Sequence, residues 1–213
     1  MSTARAVITG MGVRVPLAAS VEELKAGVLA GCKAMYEVDR FDASRFKGRN
    51  ASVFPASNPD PAPPVLHPWA ERTAGYALAA LREAKAQSGI DWTHYAPERV
   101  AIVLGTSNSG IERLEEIAKA ASIGDVDPRK LAATSIAHAT NVVAARVAAR
   151  GPRVTFSSAC ASSTAAVGHA MDLIRDGRAD LVVVVGADDV SHGIMAGFNS
   201  LGALASHHTA PFS

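Results

Sequence analysis

Cys160 is the residue of this sequence whose surroundings best suit covalent chemistry. It lies in the stretch 154–164, VTFSSACASST, where β-branched and aromatic residues predict a strand and the small residues after them predict a turn into a helix. We expect that helix to run to about Asp176 and to end at Gly177 in a left-handed conformation. The free N–H groups and the positive dipole end at a helix N-terminus favour an anion, so a thiolate at position 160 is a candidate nucleophile.

The two cysteines of the chain, Cys32 and Cys160, are far apart in sequence and form no CxxC motif. This pattern argues against a disulfide scaffold and favours a reducing compartment, so we expect a cytoplasmic protein. Cys32 follows the predicted end of a helix at Gly31, and we interpret it as a packing residue. For Cys160 a packing role stays the alternative to the nucleophile, because free cysteine is among the most buried residue types.

Two continuous apolar runs, residues 100–104 and 181–185, predict strands buried on both faces, as in a parallel sheet. With the strand and helix around Cys160, the second run predicts a βαβ unit. The polar loop 105–110 follows the first run, and ligands of α/β sheets bind at the carboxyl ends of strands. Thr106 and Ser107 are therefore candidates for a substrate pocket, although a plain turn explains the loop equally well.

The other predicted elements follow from capping and periodicity. Ser20 and Glu23 form a capping box at the start of a helix that runs to about Ala30. The proline-rich segment 37–68 predicts an irregular surface excursion. The remaining predictions are a strand at residues 6–9, helices at 69–88, 111–121 and 135–150, and a short helical turn at Pro128.

The composition predicts a globular protein with a sizeable core. The chain has 213 residues, of which 48% are hydrophobic and 19% charged, with a formal net charge of +1. A charge so close to zero predicts neither a nucleic-acid surface nor a membrane surface. No apolar run reaches the length of about 18 residues that a membrane span needs. The first residues also lead straight into an expected strand, without a secretory signal.

The histidines and acidic pairs do not have the spacing of a metal site. His207 and His208 are adjacent, but no cysteine or glutamate stands at ligand spacing from them, so we predict no zinc site. Asp188 and Asp189 lie in the loop that follows the strand 181–185, and we interpret them as solvated acids. His67 is interpreted as a solvated loop residue and His138 as a packed residue, and neither His169 nor His192 is assigned a catalytic role. We expect neither a metal nor a nucleotide cofactor.

Several segments, in order along the chain, carry a family resemblance. Residues 158–163, SACASS, resemble the active-site cysteine segment of the β-ketoacyl synthases, the condensing enzymes of the thiolase superfamily. Residues 7–13 are similar to the opening strand and turn of that family, and residues 41–46 to an early surface segment. Residues 197–204 and 211–212 resemble the stretch that follows the second core strand.

The resemblance implies a fold and a reaction. The fold is a thiolase-like α/β/α layered structure with a mostly parallel core sheet, and residues 1–213 form its amino-terminal half as one domain. Cys160 accepts an acyl group, and its backbone N–H stabilises the oxyanion. A malonyl thioester then loses CO₂ and attacks the acyl-cysteine, in fatty acid or polyketide biosynthesis. Asn141, within residues 140–142, and Phe198 are placed by the resemblance near the acyl pocket.

The resemblance also implies partners. The acyl group arrives on an acyl carrier protein, and a homodimer or a complementary ketosynthase chain is expected. Family members use two histidines and a lysine from their second half, which this sequence does not match. The sequence reads APFS at residues 210–213, where the family pattern is RPFD. We therefore expect either that another chain completes the fold, or that this sequence is a fragment or a degenerate copy of a synthase.

Two other functions remain open at this point. The chain could be a non-catalytic ketosynthase-like partner that acts through dimerisation, although such partners typically lack the cysteine. It could also be a cysteine hydrolase with a histidine base. His169 shares the predicted helix with Cys160 at a spacing that points it away, so no motif marks such a base.

Overall fold

The computed structural model describes residues 5–54, 71–124, 126–206 and 209, which contain both helices and strands. In these residues the helices are α1 (Val21–Leu29), α2 (Arg72–Ser88), α3 (Ile111–Ala121), α4 (His138–Arg146), α5 (Ser162–Arg175) and α6 (His192–Ser200). The strands are β1 (Tyr36–Glu37), β2 (Asn50–Ala51), β3 (Val100–Gly105), β4 (Arg153–Phe156) and β5 (Leu181–Gly186). Short 3₁₀ turns occupy Trp92–His94, Pro97–Arg99, Pro128–Thr134 and Ala159–Ala161.

The core is a parallel sheet in which β3 lies between β4 and β5. Every residue of β3 is buried, as its unbroken apolar sequence predicts for a strand covered on both faces. Burial of each large β3 side chain contributes roughly 1.5–3 kcal/mol to folding. The predicted parallel core sheet is confirmed.

Side chains of β3 alternate between two helical layers, because successive residues of a strand point to opposite faces. Val100 and Ile102 pack with residues of α2 and α4, whereas Ala101 and Val103 pack with residues of α5. The helices meet the sheet largely through alanine, which allows close approach. This arrangement is the predicted α/β/α layering.

A third apolar cluster joins the excursion that begins at residue 37 to α6. Val38 and Val53 pack there with Met195 of α6. The excursion is not wholly irregular, because β1 and β2 pair as a two-residue antiparallel ladder. Helix α6 was not predicted; Ser191 caps it by accepting from the Ile194 N–H.

The predicted strand at residues 6–9 does not form. Val7 and Ile8 are 74% and 78% exposed. The turn that follows is bound to α2 instead, since the Met11 and Val13 N–H groups donate to the side chains of Gln87 and Glu83, at 2.6 and 2.8 Å. Side chains of α2 therefore hold the turn that follows residues 6–9.

Two other predictions need correction. Strand β5 is parallel, as predicted, but it pairs only with β3 among the described residues, so Val184 is 38% exposed rather than buried. The helix predicted at 135–150 is shorter, at His138–Arg146. It stops because Ala148 adopts a φ of 54° and the Arg150 N–H turns back to donate to the Pro97 carbonyl.

The helices around the sheet otherwise follow the sequence patterns. Ser20 caps α1 by accepting from the Glu23 N–H, and the Glu23 side chain reaches back to accept from the Ala19 N–H, one residue before the N-cap. Helix α5 is followed by Gly177 at a φ of 65°. In the described part of the chain, no helix combines the length and apolarity needed to cross a membrane.

The contact between Gly105 and Ser162 sets where α5 begins on the sheet. A Cβ at Gly105 would lie 2.4 Å from the carbonyl carbon and oxygen of Ser162. We expect Gly105→Ala to lower the unfolding free energy by about 3 kcal/mol, the upper end for overpacking, because backbone must move. Urea unfolding followed by circular dichroism measures this change.

Gly168→Ala in α5 is the matched control. No atom lies within 4 Å of a Cβ added there, so we expect alanine to stabilise the helix by about 0.5–1 kcal/mol. A Gly105→Ala protein as stable as the wild type would contradict the close approach.

Candidate active site

Cys160 lies on a one-turn 3₁₀ helix, Ala159–Ala161, between the end of β4 and the start of α5. Ala159 has a φ of 50°, in the left-handed region that residues with a Cβ seldom occupy. Cys160 is exposed, which contradicts the interpretation as a buried packing residue. The position predicted from sequence, between a strand and a helix N-terminus, is confirmed.

Serine hydroxyls hold this turn. Ser162 is buried, and its Oγ accepts from the Ser158 N–H at 2.9 Å and donates to the Ala159 carbonyl at 2.7 Å. The Ser107 Oγ donates to the same carbonyl, at 3.1 Å. The loop after β3 is therefore joined directly to the residue that precedes Cys160.

Asp188 organises the loop after β3. Its Oδ1 accepts from the Thr106 hydroxyl at 2.6 Å, the Ser107 N–H at 2.8 Å and the Asn108 N–H at 2.7 Å. Thr106 is fully buried, and its hydroxyl donates to Asp188. Asp188 is exposed as predicted, but it is bonded to the loop and is not merely a solvated acid.

Asp189 was also interpreted as a solvated acid, and this interpretation is wrong. Its carboxylate pairs with the Arg40 guanidinium at 3.0 Å, and these side chains are only 12% and 13% exposed. Arg72, at the start of α2, lies 3.6 Å from the other Asp189 oxygen. Arg40 also donates to the Val190 carbonyl at 2.6 Å. These contacts tie the segment after β5 to the excursion and to α2.

Glu71 is a buried carboxylate behind the same loop. It is 2% exposed and accepts from the Ser109 hydroxyl and the Gly110 N–H at the start of α3. Burial raises the pKa of Glu71, and this effect outweighs the two hydrogen bonds, which lower it. Sequence reasoning did not find Glu71.

The remaining candidates lie elsewhere. His169 packs edge-on against Phe156, with ring centroids 5.4 Å apart, and His192 packs against Phe41 and Phe46. Asn141 is exposed on α4 and Phe198 is 50% exposed on α6, and among the described residues neither hydrogen bonds to the Cys160 turn. Their assignment to an acyl pocket stays a prediction. His67, His207, His208 and the stretch 211–212 lie outside the described residues.

Within the described ranges, no three histidine, cysteine or carboxylate side chains are grouped as metal ligands. The groups of this site that are available for chemistry lie at the Cys160 turn. They are an exposed thiol, the N–H groups at the start of a helix, and a carbonyl held from two sides.

Comparison with known proteins identifies the family. The family model described as "Beta-ketoacyl synthase, N-terminal domain" matches residues 3–213. This chain belongs to the β-ketoacyl synthase family.

Known synthases match this chain along nearly all of its length. The 3-oxoacyl-[acyl-carrier-protein] synthase 2 of Vibrio harveyi is 29% identical, over 99% of this chain and 52% of its own length. The tetracenomycin polyketide synthase ketoacyl synthase alpha subunit of Streptomyces glaucescens is 33% identical, over 97% of this chain and 51% of its own length. The chain thus spans about half the length of the curated relatives it matches.

The solved structures agree with the sequence comparison. The ishigamide ketosynthase/chain length factor superposes with a TM-score of 0.84 at 28% identity, over 95% of this chain and 52% of that chain. The predicted thiolase-like fold, restricted to the amino-terminal half, is confirmed.

One sequence signal could have found Asp188. The carboxyl ends of neighbouring parallel strands meet at one edge of a sheet, so residues that follow β3 and β5 are expected side by side. Thr106 follows β3 and Asp188 follows β5, and they hydrogen bond there. No comparable signal marks Glu71, because it precedes helix α2 and does not follow a strand of the core sheet.

The raised pKa of Glu71 predicts a pH-dependent cost. The folded protein binds this proton more tightly than the unfolded chain, so the contribution of Glu71 to the unfolding free energy falls as pH rises above 4.5, the ordinary value. Glu71→Gln keeps an oxygen that accepts from Gly110 but carries no charge. We expect this variant to gain stability relative to the wild type as pH rises from 4.5 towards neutrality.

Urea unfolding at a series of pH values measures the difference. Glu98→Gln serves as the control, because that side chain is 65% exposed. If the Glu71→Gln and wild-type stabilities run parallel across this range, Glu71 does not bear the cost.

Proposed function

We propose that this chain provides the acyl-accepting site of a β-ketoacyl-[acyl carrier protein] synthase, with Cys160 as the nucleophile. The observation that carries the proposal is the exposed Cys160 on a turn immediately before α5. Family membership supports it, since the matched domain carries the SACASS segment at this turn. We further propose that residues 1–213 act as one domain.

The proposed first step is transfer of an acyl group from one thioester to another. The Cys160 thiolate attacks the thioester carbonyl carbon, and the carbonyl electrons move to the oxygen. The backbone N–H of Cys160 donates to this oxyanion. As the carbonyl re-forms, the bond to the carrier sulfur breaks, and the departing thiolate takes up a proton. The product is acyl-Cys160.

The proposed second step is the condensation. A malonyl thioester loses CO₂, and the resulting carbanion attacks the acyl-cysteine carbonyl and expels the Cys160 thiolate. In the β-ketoacyl synthases that this chain resembles, the histidines that stabilise the carbanion lie in the second half of the protein, which this chain does not match. His169 and His192 make ring contacts with phenylalanines, and these contacts support a packing role for the two histidines.

The proposed partners follow from the relatives. An acyl carrier protein delivers the acyl group, as the name of the Vibrio harveyi relative indicates for that enzyme. The second partner is either another copy of this chain, in a homodimer, or a complementary ketosynthase chain. The ishigamide ketosynthase/chain length factor is an example of two complementary chains. We place the reaction in the cytoplasm, because Cys32 and Cys160 are both free thiols.

Mass spectrometry tests the proposal. The protein is incubated with an acyl-CoA or an acyl carrier protein loaded with the same acyl group, alone and with a full-length ketosynthase. We expect one acyl group on the peptide that contains Cys160. Cys160→Ala abolishes the label, because the thioester cannot form.

Cys32→Ala is the matched control, since Cys32 is also an exposed free thiol but follows the C-terminal end of α1. It should be labelled as the wild type is. Equal labelling of both cysteines would contradict a dedicated nucleophile. Association with the full-length synthase without any label on Cys160 would favour the non-catalytic partner.

A further inference from the structure

The peptide between Ala159 and Cys160 is held through its carbonyl. The Ala159 oxygen accepts from the Ser107 hydroxyl at 3.1 Å, from the Ser162 hydroxyl at 2.7 Å and from the Ser162 N–H. In a planar trans peptide the C=O and the N–H point in opposite directions. Bonds that orient the Ala159 carbonyl therefore also orient the Cys160 N–H.

Ser107 and Ser162 lie in different parts of the fold. Both Ser162 donors belong to the turn itself, whereas Ser107 lies 52 residues earlier than Ala159, on the loop after β3. The Ser107 bond consequently fixes the turn relative to the central strand of the sheet. A hydrogen bond accepted by the carbonyl also polarises the peptide, which makes its N–H a stronger donor.

Asp188 fixes Ser107 in turn. The Oδ1 of Asp188 accepts from the Ser107 N–H. It also accepts from the two residues next to Ser107, namely from the Thr106 hydroxyl and the Asn108 N–H. The series of hydrogen bonds thus runs from the end of β5, through the loop after β3, to the turn that carries Cys160.

We propose that Ser107 is a positioning residue that aims the Cys160 N–H at the oxyanion, and that Asp188 holds Ser107 in place. This role deepens the proposed function and rests on it, because it assigns the Cys160 N–H as an oxyanion donor. The Ser107 hydroxyl acts through the Ala159–Cys160 peptide rather than on the substrate.

Two reagents separate this role from a general loosening of the site. With p-nitrophenyl acetate, the thiolate attacks the carbonyl carbon, an oxyanion forms, and p-nitrophenolate leaves as the C–O bond breaks. With iodoacetamide, the thiolate displaces iodide from carbon in one step, and no oxyanion forms. A correctly aimed N–H accelerates the first reaction and not the second.

The measurement is the ratio of the acylation rate to the alkylation rate at each cysteine, read by mass spectrometry of the digested protein. In the wild type we expect a higher ratio at Cys160 than at Cys32. Since complete loss of an oxyanion donor costs about 10²–10³ in rate, we expect misaiming in Ser107→Ala to lower the Cys160 ratio about tenfold. The ratio at Cys32 should stay unchanged.

Conservative variants serve as rescue. Ser107→Thr keeps the hydroxyl and should restore the ratio at Cys160. Asp188→Ala should lower it as Ser107→Ala does, whereas Asp188→Asn, which keeps an accepting oxygen, should restore it. The control is Ser122→Ala at the end of α3, which removes a hydroxyl that donates to the Lys119 carbonyl at 2.7 Å and should change nothing.

The inference is overturned if the Cys160 ratio is unchanged in Ser107→Ala. It is equally overturned if acylation and alkylation fall together, since that marks general disorder of the turn. A wild-type ratio that is equal at Cys160 and Cys32 overturns it as well. Because both reagents act without a carrier protein, these results are independent of whether a carrier-bound acyl group is accepted, which is the test of the proposed function.

Discussion

The close contact between Gly105 and Ser162 is the constraint on which the arrangement of the site depends. Glycine at the end of β3 leaves room for the backbone of Ser162, where α5 begins. The turn that carries Cys160 therefore lies against the carboxyl end of the central strand. From there its preceding carbonyl is within reach of Ser107, on the loop that follows that strand.

Charged groups behind this edge connect separate elements at an energetic cost. Asp189 and Arg40 are largely removed from water, and removing two charges from water offsets much of their attraction. Glu71 is buried more completely, and its raised pKa records that cost. These groups tie α2, α3 and the segment after β5 to one another, so the loop after β3 is held from behind while the Cys160 turn stays exposed.

Membership in the β-ketoacyl synthase family gives these contacts a chemical context. The described residues bring together a thiol, a helix N-terminus and an oriented peptide, which suit the acyl-transfer step. Condensation makes a further demand, since a carbanion must be stabilised beside the acyl-cysteine. Of the described histidines near this sheet, His169 is engaged with Phe156. The geometry thus supports the proposed first step more directly than the second.

The sequence by itself determined the strand–turn–helix around Cys160, the strands β3 and β5, and helices α1, α3 and α5. Their signals are local: apolar runs, a capping box at Ser20 and a left-handed glycine at Gly177. Only the tertiary structure decided that residues 6–9 form no strand, that the turn after them is bound to α2, and that β5 is an edge strand in the described part of the chain. It also decided that Asp188 bonds to Ser107, 81 residues away. These outcomes depend on which distant groups compete for the same backbone donors and acceptors, and local patterns do not contain that information.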